Sequence, residues 1–203
     1  MAEMTARTPR WCVFLDRDGT LNSHVTRDGR RGSPRTAQEW RWEPGAPTCL
    51  RALHQAGAHL VVVTNQPDLA RGLLDHRALS ALHALLPDMA AVYVCPHTAA
   101  DRCRCRKPSS HWLRQAAARQ GIHLKDSFLI GDRPTDAQCA LNAGARAVLI
   151  TGRNTDSTAD GLDYATDLPA AVRTVLRHRA HQVATGYRER HPGAPRRESQ
   201  TWQ

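Results

Sequence analysis

Short apolar runs that end directly in polar residues constrain the fold of this chain more than any other feature. WCVFL leads into DRDGT, HLVVV into TNQ, AAVYV into CPH and SFLI into GD, and a fifth run, AVLI, leads into TGRN. Continuous aliphatic and β-branched runs of this length are typical of strands covered on both faces, as in a parallel sheet.

Amphipathic helical patterns lie between these runs. Apolar residues recur every three or four positions over residues 46–53, 75–86, 110–120 and 135–142. Strands that alternate with helices indicate βαβ units. The sequence therefore predicts an α/β fold with an open, doubly wound parallel sheet of the Rossmann-like type.

The length of 203 residues is enough for one sizeable core. We predict a single domain over residues 11–176, with a flexible N-terminus at residues 1–10. Residues 177–203 are rich in arginine, poor in apolar residues and interrupted by proline and glycine. This composition predicts a basic C-terminal tail that is disordered beyond a short helical start.

The composition also bears on location and partners. Apolar runs are too short to span a membrane, and MAEMTARTPR lacks the apolar stretch of a secretory signal, so we expect a cytoplasmic protein without a membrane partner. The formal charge is +9, but the basic tail has no interleaved aromatic residues. Such residues are the usual stacking platform for nucleic acid, so we do not expect nucleic-acid binding. We expect a monomer.

The polar residues that follow the apolar runs should converge in space. In an open parallel sheet, the carboxyl ends of the strands share one crevice where ligands bind. Residues two apart on an extended segment face the same side, so Asp16 and Asp18 should face this crevice while Arg17 turns away. With Asp132, these acids form a set of hard oxygen ligands suited to Mg²⁺. The alternative is that the acids only cap loops.

Other residues at these strand ends suit a phosphate group. Thr64 and Asn65 offer a hydroxyl and an amide for a phosphoryl oxygen. Lys107 is one of only two lysines in the chain and offers a compact positive charge. The alternative for Lys107 is a solvated side chain.

A group of cysteines and a histidine predicts a second metal site. Cys95, His97, Cys103 and Cys105 follow the pattern C-x-H-x₅-C-x-C. Three thiolates and an imidazole form the closed tetrahedron of a structural Zn²⁺ site, whereas cysteines at chance spacing are the alternative. Zinc would fold a loop without an apolar core and fix the residues that follow it. The other cysteines fall in strand or helix patterns and are expected in the core, namely Cys12, Cys49 and Cys139.

Four of these segments together resemble the motifs of a known superfamily. DRDGTLN, TNQ, the lysine of RKP and GDRPTD are similar, in order and spacing, to the motifs of the haloacid dehalogenase (HAD) superfamily of aspartate-nucleophile phosphatases. The segment CPHTAADRCRCRKP resembles the zinc loop of the branch with histidinol phosphatases and heptose 1,7-bisphosphate 7-phosphatases. TNQPDLARG is nearer to the heptose group, from which Pro67 and Asp68 depart.

The resemblance implies a role for most of these residues. Asp16 would attack phosphorus and form an aspartyl phosphate, and Asp18 would serve as general acid and then as general base. Thr64 and Lys107 would hold the transferring phosphoryl group. The Mg²⁺ ligands would come from Asp16, Asp18 and Asp132, and the substrate-binding residues would be Asn22, Asn65, Gln66 and Arg106.

The segment Ser23–Gly45 should contribute to specificity. It is too short and too interrupted by glycine and proline for a cap domain, so we expect a capless enzyme with an open crevice. Such a site suits a small sugar phosphate. We expect Arg106 and one arginine of Arg27, Arg30 and Arg31 to bind the distal end of the substrate, unless this loop is merely solvated.

The expected function is that of a Mg²⁺-dependent phosphatase acting on a small sugar phosphate, and D-glycero-D-manno-heptose 1,7-bisphosphate is the leading candidate for the substrate. Histidinol phosphate or a sugar phosphate of a specialised pathway is the alternative within the same chemistry. A zinc-stabilised nucleic-acid-binding protein is the alternative from another class, and a nucleic-acid 3′-phosphatase would combine the two.

Overall fold

The computed structural model describes residues 10–87, 89, 91–152 and 160–190. These residues form strands, α-helices and two short 3₁₀ turns at residues 37–39 and 124–126. In chain order the strands and α-helices are β1 (Cys12–Leu15), β2 (Val25–Arg27), β3 (Arg30–Gly32), α1 (Ala46–Gln55), β4 (His59–Asn65), α2 (His76–His83), β5 (Ala91–Cys95), α3 (His111–Gln120), β6 (Phe128–Gly131), α4 (Pro134–Ala143), β7 (Arg146–Ile150), β8 (Leu162–Ala165) and α5 (Leu168–Arg190).

Six strands form one parallel sheet in the order β5-β4-β1-β6-β7-β8. The central strand β1 is fully buried, as its apolar sequence predicts. Its side chains alternate: Val13 and Leu15 pack into one core cluster, and Cys12 and Phe14 into another. Helices α1 and α5 cover the first face, while α3 and α4 cover the second. The predicted doubly wound α/β fold is confirmed.

The four predicted helices correspond to α1–α4, with ends shifted by a few residues. Asp75 begins α2, because its side chain accepts a hydrogen bond from the backbone N–H of Ala78 at 2.7 Å. Gly121 and Gly144 adopt positive φ angles and end α3 and α4. Helix α2 ends at His83, earlier than the predicted residue 86.

The segment Ser23–Gly45 contains an element that its sequence did not reveal. Strands β2 and β3 pair as an antiparallel hairpin, in which Arg27 lies opposite Arg30. The 3₁₀ turn at residues 37–39 follows the hairpin. We call Ser23–Gly45 the insertion. Strand β8 at the edge of the main sheet was also not predicted, because its sequence LDYA has no continuous apolar run.

The C-terminal end differs from the prediction. Helix α5 continues to Arg190, so the predicted domain boundary at residue 176 falls inside a helix and residues 177–190 are helical. Arg179 lies over the ring of Trp11, 5.1 Å from its centroid, which ties this part of α5 to the domain. The predicted flexible N-terminus, apart from Arg10, and residues 191–203 of the predicted tail lie outside the described residues.

None of the helices in the described part of the chain combines the length and the apolar character that a membrane crossing requires.

Candidate active site

The predicted site residues meet at the carboxyl edge of the sheet. Asp16 directly follows β1, Thr64 is the second-last residue of β4, and Lys107 lies in the loop after β5. All three line one cavity of about 1180 Å³. Asp132 directly follows β6, the strand on the other side of β1. The parallel sheet therefore brings together residues that are far apart in sequence.

Lys107 is the centre of a buried ionic group. Its Nζ lies 2.8 Å from Asp16 Oδ1 and 2.6 Å from Asp136 Oδ1, and it donates a hydrogen bond to the backbone oxygen of Val63 at 2.8 Å. An ammonium has three N–H donors, so each of them has a partner. Burial would lower the pKa of Lys107, but the two carboxylates outweigh it and raise the pKa above its ordinary value. Lys107 is therefore a fixed positive charge.

Asp16 has a pKa far from that of an exposed carboxyl. Burial raises the pKa of Asp16 to about 7, against the opposing effect of Lys107, and the negative charge of Asp136 adds to the rise. An excess of buried negative charge is thus present around a single lysine. A bound cation would favour the ionised form of Asp16, which is the form that can attack phosphorus.

Three carboxylates form a group that could hold this cation. Oxygen atoms of Asp16, Asp132 and Asp136 lie within 4.8 Å of one another. Asp132 Oδ1 is buried and makes no hydrogen bond with any described residue. Hard oxygen ligands, excess negative charge and an unpaired buried oxygen fit Mg²⁺. Sequence reasoning missed Asp136, although it follows Asp132 by four residues in GDRPTD.

The neighbourhood of Asp132 explains Gly19. His24 Nε2 lies 3.2 Å from Asp132 Oδ2, and the two side chains pack against the backbone of Gly19. A Cβ atom at Gly19 would overlap both of them, and the φ angle of 83° is unfavourable for other residues. Glycine here allows the chain after β1 to approach the metal-ligand candidate.

The structure corrects the prediction for Arg17 and for the side chain of Asp18. Arg17, predicted to turn away from the side that Asp16 and Asp18 face, is fully buried and donates to both Asp18 oxygens, from Nε to Oδ1 at 3.0 Å and from Nη2 to Oδ2 at 3.1 Å. The Asp18 carboxylate is therefore not part of the carboxylate group around Asp132.

Two predicted substrate-binding residues hold Asp18 instead. Asn22 and Gln66 are fully buried, and each donates an amide N–H to Asp18, at 3.0 and 2.7 Å respectively. Burial alone would raise the pKa of Asp18, but Arg17 and these two amides lower it. Neither Asn22 nor Gln66 lines the cavity, so the prediction of direct substrate contact is not supported by their position.

Thr64 occupies a position that suits its predicted role, whereas the Asn65 side chain, predicted to bind substrate, contacts the backbone of Lys107. Thr64 Oγ1 accepts a hydrogen bond from Gln66 Nε2 at 2.8 Å, so its own hydrogen is free to be donated to an anion in the cavity. The Asn65 side chain accepts from the backbone N–H of Lys107 at 3.1 Å and donates to the Lys107 carbonyl at 3.3 Å. Asn65 thus fixes the loop segment that carries Lys107.

The predicted zinc ligands converge at the end of β5 and in the loop that follows it. Cys103 Sγ lies 3.6 Å from the sulfurs of Cys95 and Cys105, and His97 Nδ1 lies 3.8 and 3.4 Å from these same two sulfurs. Tetrahedral zinc with Zn–S bonds of about 2.3 Å places its sulfurs roughly 3.8 Å apart. These spacings fit a structural Zn²⁺ site. Burial raises the pKa of Cys95 to about 12, so deprotonation there would require a cation.

The other cysteines and Arg106 have distinct environments. Cys12, Cys49 and Cys139 are buried, as predicted. Arg106 Nη1 donates to the His97 carbonyl at 3.0 Å and also lines the cavity. Arg106 therefore links the candidate zinc loop to the space above Asp16.

The far side of the cavity is lined by arginines. Arg27, Arg30 and Arg31 of the hairpin line it; Arg30 and Arg31 are exposed, and Arg27 is paired with Glu39. The cavity lining contains eight arginines and Lys107 but five aspartates. Three of these aspartates, Asp16, Asp18 and Asp136, belong to the buried end, so the remaining wall is strongly positive.

Comparisons with known proteins agree with this geometry. Residues 104–177 match the HAD-hydrolase-like family. The chain is 32% identical to the D-glycero-beta-D-manno-heptose-1,7-bisphosphate 7-phosphatase of Pseudomonas putida, over 81% of this chain and 98% of that protein. It is 33% identical to the D-glycero-alpha-D-manno-heptose-1,7-bisphosphate 7-phosphatase of Mycobacterium bovis, over 74% and 85%.

A solved structure is also similar. The crystal structure of D,D-heptose 1,7-bisphosphate phosphatase from Bordetella bronchiseptica, complexed with magnesium and phosphate, superposes with a TM-score of 0.71. The two chains are 32% identical, and the match covers 83% of this chain and 99% of that one.

Proposed function

This chain belongs to the HAD-like phosphatases, in the family of the heptose-1,7-bisphosphate 7-phosphatases, and from that premise we propose that it removes the 7-phosphate of D-glycero-D-manno-heptose 1,7-bisphosphate. The observation that carries the proposal is the convergence of Asp16, Asp136 and Lys107 in one buried ionic group at the wall of a basic cavity. The nucleophile Asp16, the positive charge of Lys107 and a cavity for an anionic substrate are therefore adjacent.

The reaction proceeds in two steps at Asp16. In the first, an oxygen of the Asp16 carboxylate attacks phosphorus, the bond from phosphorus to the sugar oxygen breaks, and a proton from Asp18 goes to the departing alkoxide. In the second, water attacks phosphorus of the aspartyl phosphate and gives a proton to Asp18. The bond between phosphorus and the Asp16 oxygen breaks, so phosphate is released and the Asp16 carboxylate is restored. Thr64 and Lys107 stabilise the negative charge on the phosphoryl oxygens during both steps.

Asp18 occupies the position of the base in the described arrangement. Its carboxylate is paired with Arg17 and its pKa is lowered, so it is ionised and can accept a proton. A general acid must carry a proton at working pH. Asp18 would therefore have to weaken its contact with Arg17 when substrate binds.

Two metal ions are part of the proposal. Asp16, Asp132 and Asp136 would hold Mg²⁺, which when bound would offset negative charge on the phosphoryl group. Cys95, His97, Cys103 and Cys105 would hold Zn²⁺ as a structural ion. The zinc loop carries Arg106 and Lys107, so it would fix both over the cavity.

The substrate assignment rests on the relatives and on the charge of the cavity. The relatives are named for the alpha and for the beta anomer of the heptose bisphosphate, so the preferred anomer is a separate question. A bisphosphate carries a second anion for the arginine-rich wall. A cytoplasmic location remains a prediction, supported by the need of thiolate ligands for a reducing compartment.

The test is a phosphate-release assay over a panel of phosphomonoesters. We expect the highest kcat/KM for one anomer of heptose 1,7-bisphosphate, with a product that keeps its 1-phosphate, and no activity in Asp16→Asn. The panel includes histidinol phosphate, fructose 1,6-bisphosphate and 3′-phosphorylated DNA. A higher kcat/KM for any of these would overturn the substrate assignment and leave the phosphatase reaction intact.

A further inference from the structure

An acidic residue joins two arginines at the wall of the cavity. Asp68 Oδ2 accepts a hydrogen bond from Arg35 Nε at 2.8 Å, and Asp68 Oδ1 accepts one from Arg71 Nη1 at 3.2 Å. Arg35 belongs to the insertion, whereas Asp68 and Arg71 lie in the turns after β4. Asp68 is buried, with 8% of its surface exposed, so its position is fixed. We call Arg35, Asp68 and Arg71 the arginine clamp.

The clamp leaves several donors available. A guanidinium has five N–H groups, and Asp68 occupies only the Nε of Arg35 and one Nη1 bond of Arg71. Within the described part of the chain, the Nη atoms of Arg35 and the Nε and Nη2 atoms of Arg71 make no other hydrogen bond. The side chains are 31% and 55% exposed, so a ligand can reach them.

The backbone of Arg35 is held as well as its side chain. Its N–H donates to Glu39 Oε2 at 2.7 Å, and the same carboxylate pairs with Arg27. Glu39 therefore fastens the hairpin and Arg35 together. A side chain that is fixed at both its backbone and its Nε loses little conformational entropy when its remaining N–H groups bind an anion.

The clamp and the reacting end belong to one cavity. Arg35, Asp68 and Arg71 line it together with Asp16 and Thr64. Because Asp68 follows Thr64 by four residues, their Cα atoms are at most about 14 Å apart. Two planar guanidinium groups at one carboxylate present the geometry that binds phosphate by several parallel hydrogen bonds.

We propose that Arg35 and Arg71, positioned by Asp68, form an anion site for the phosphate that the enzyme leaves on its substrate. This rests on the proposed function, since the second phosphate exists only if the substrate is a bisphosphate. The site is additional to the predicted distal contacts: Arg27 is paired with Glu39, whereas Arg30, Arg31 and Arg106 also line the cavity. Because Asp68 fixes both arginines, the clamp would select a ligand by the position of its phosphate as well as by its negative charge.

The opposing interpretation is that the cavity wall attracts anions by its net charge alone and that Asp68 does not orient the two arginines toward a ligand. The variant Asp68→Asn separates the two, because it removes the ion pairs while adding positive charge to the cavity. If the wall attracts anions by net charge alone, Asp68→Asn lowers KM for a bisphosphate. If the clamp orients the arginines, Asp68→Asn raises it.

The experiment compares two substrates across a set of variants. Heptose 1,7-bisphosphate has a second phosphate, and para-nitrophenyl phosphate has none. We expect Arg35→Gln and Arg71→Gln each to lower kcat/KM for the bisphosphate by about 10- to 100-fold, the range for a hydrogen bond to a charged group, mainly through KM. We expect less than about twofold change for para-nitrophenyl phosphate, which contacts only the reacting end. Asp68→Asn should raise KM by about tenfold for the bisphosphate and leave KM for para-nitrophenyl phosphate unchanged.

The matched control is Arg41→Gln, which removes the same charge from the same insertion. Arg41 is exposed and does not line the cavity; its Nη1 donates to backbone oxygens of Gln38 and Trp40. Both substrates should keep wild-type constants in this variant. Activity toward para-nitrophenyl phosphate also serves as the folding control for every variant.

The outcomes distinguish the clamp from the proposed function. If the wild-type enzyme hydrolyses both substrates and every variant keeps the wild-type ratio of kcat/KM for the bisphosphate to kcat/KM for para-nitrophenyl phosphate, the clamp does not bind the second phosphate. The proposed function then stands. A fall in KM for the bisphosphate in Asp68→Asn also overturns the clamp. If the wild-type enzyme releases phosphate only from para-nitrophenyl phosphate, the proposed function fails, and the clamp fails with it.

Discussion

The two ends of the cavity differ in burial and in the way their charges are arranged. At the reacting end, Asp16, Asp136 and Lys107 are nearly inaccessible to solvent, and each is within 3 Å of an opposite charge. At the distal end, the arginines are half-exposed or exposed, and Asp68 is the buried acid between Arg35 of the insertion and Arg71 of the turns after β4.

This difference indicates a division of labour. Buried charges interact strongly and tolerate little displacement, which suits a chemical step whose atoms must be held in place. Exposed arginines interact weakly with solvent-screened partners but can contact substrates of different shapes. Changes at the reacting end should therefore affect every substrate, whereas changes at the distal end should affect only substrates with a second anion.

The variant Asp16→Asn should have the largest effect. Asparagine keeps the shape of the side chain but cannot form the acyl phosphate, so we expect almost no phosphate release from any substrate. The fold should survive, because the buried Lys107 keeps Asp136 as its counter-ion. Steady-state assays with both substrates and a thermal unfolding curve test this. Residual activity within about tenfold of wild type would show that Asp16 is not the nucleophile.

The variant Asp18→Asn should have the next largest effect. Loss of general acid–base catalysis typically costs about 100- to 10,000-fold in rate. The loss should be greater for a sugar phosphate than for para-nitrophenyl phosphate, because nitrophenolate leaves without needing a proton. This ratio is independent of the amount of folded enzyme, which matters because the buried Arg17 loses its counter-ion. Equal losses for both leaving groups would remove Asp18 from the role of general acid.

The variant Cys105→Ser should have an intermediate effect. Removal of one zinc ligand should release the metal and loosen the loop that carries Lys107, which we expect to lower kcat by about 10- to 100-fold for both substrates. Metal analysis by mass spectrometry should find about one zinc per chain in the wild type and much less in the variant. Cys49→Ala, at a buried cysteine outside the loop, is the control. Equal zinc content in Cys105→Ser and wild type would disprove the site.

The variant Glu39→Gln should have a smaller effect, confined to the distal end. It weakens the ion pair with Arg27 and the hydrogen bond from the Arg35 backbone. Partly exposed ion pairs contribute about 0 to 1 kcal/mol, so KM for a bisphosphate should rise by at most about fivefold. Para-nitrophenyl phosphate should be unaffected. An equal change for both substrates would mean that the insertion also supports the reacting end.

The smallest expected effect is a pH dependence of stability at His83. Burial lowers the pKa of His83 to about 4, and the adjacent Arg17, whose Nη1 lies 3.3 Å from His83 Nε2, adds to the shift. The unfolded chain, with a histidine pKa of about 6.5, binds this proton more readily. Stability should therefore be lost as pH falls from about 6.5 to 4, by roughly 1 to 2 kcal/mol because His83 is partly exposed.

The measurement is a double difference in the free energy of unfolding. Urea unfolding gives the free energy of unfolding of wild type and of His83→Gln at pH 7.5 and pH 5. Subtracting the pH-dependent change of the variant from that of wild type removes the contribution of all other groups, including the candidate zinc ligands. His76→Gln, at an exposed histidine in the first turn of the same helix, is the matched control. If the pH dependence is identical in wild type and His83→Gln, His83 is not the titrating group.

The parts of the site that the sequence predicted share one property. Asp16, Thr64 and Asp132 follow or end apolar strands, and parallel strands bring such positions to one edge. The cluster of candidate zinc ligands was visible because the spacing of its residues is short. The short spacing in the sequence was sufficient to find the cysteine and histidine cluster. The rule that parallel strands end at one edge of a sheet was sufficient to bring Asp16, Thr64 and Asp132 together.

The parts that were missed depend on side-chain direction. Arg17, predicted to turn away from the crevice, donates a hydrogen bond to Asp18 in the protein interior. Asn22 and Gln66 have the polar character of substrate ligands but point toward Asp18. Asp136 was visible in GDRPTD, but its role depends on the position of Lys107, which lies on another loop. Residue type alone does not reveal which buried partner a polar side chain will find.

The sequence by itself determined the parallel sheet, the four motifs at its carboxyl edge and the ligands of the candidate zinc loop. It could do so because periodicity and short spacings act through neighbouring residues. Only the tertiary structure decided that Arg17 holds Asp18, that Lys107 joins Asp16 to Asp136, and that Asp68 positions two arginines from separate segments. Ion pairs between distant segments form according to distance and burial in three dimensions, and no linear pattern contains that information.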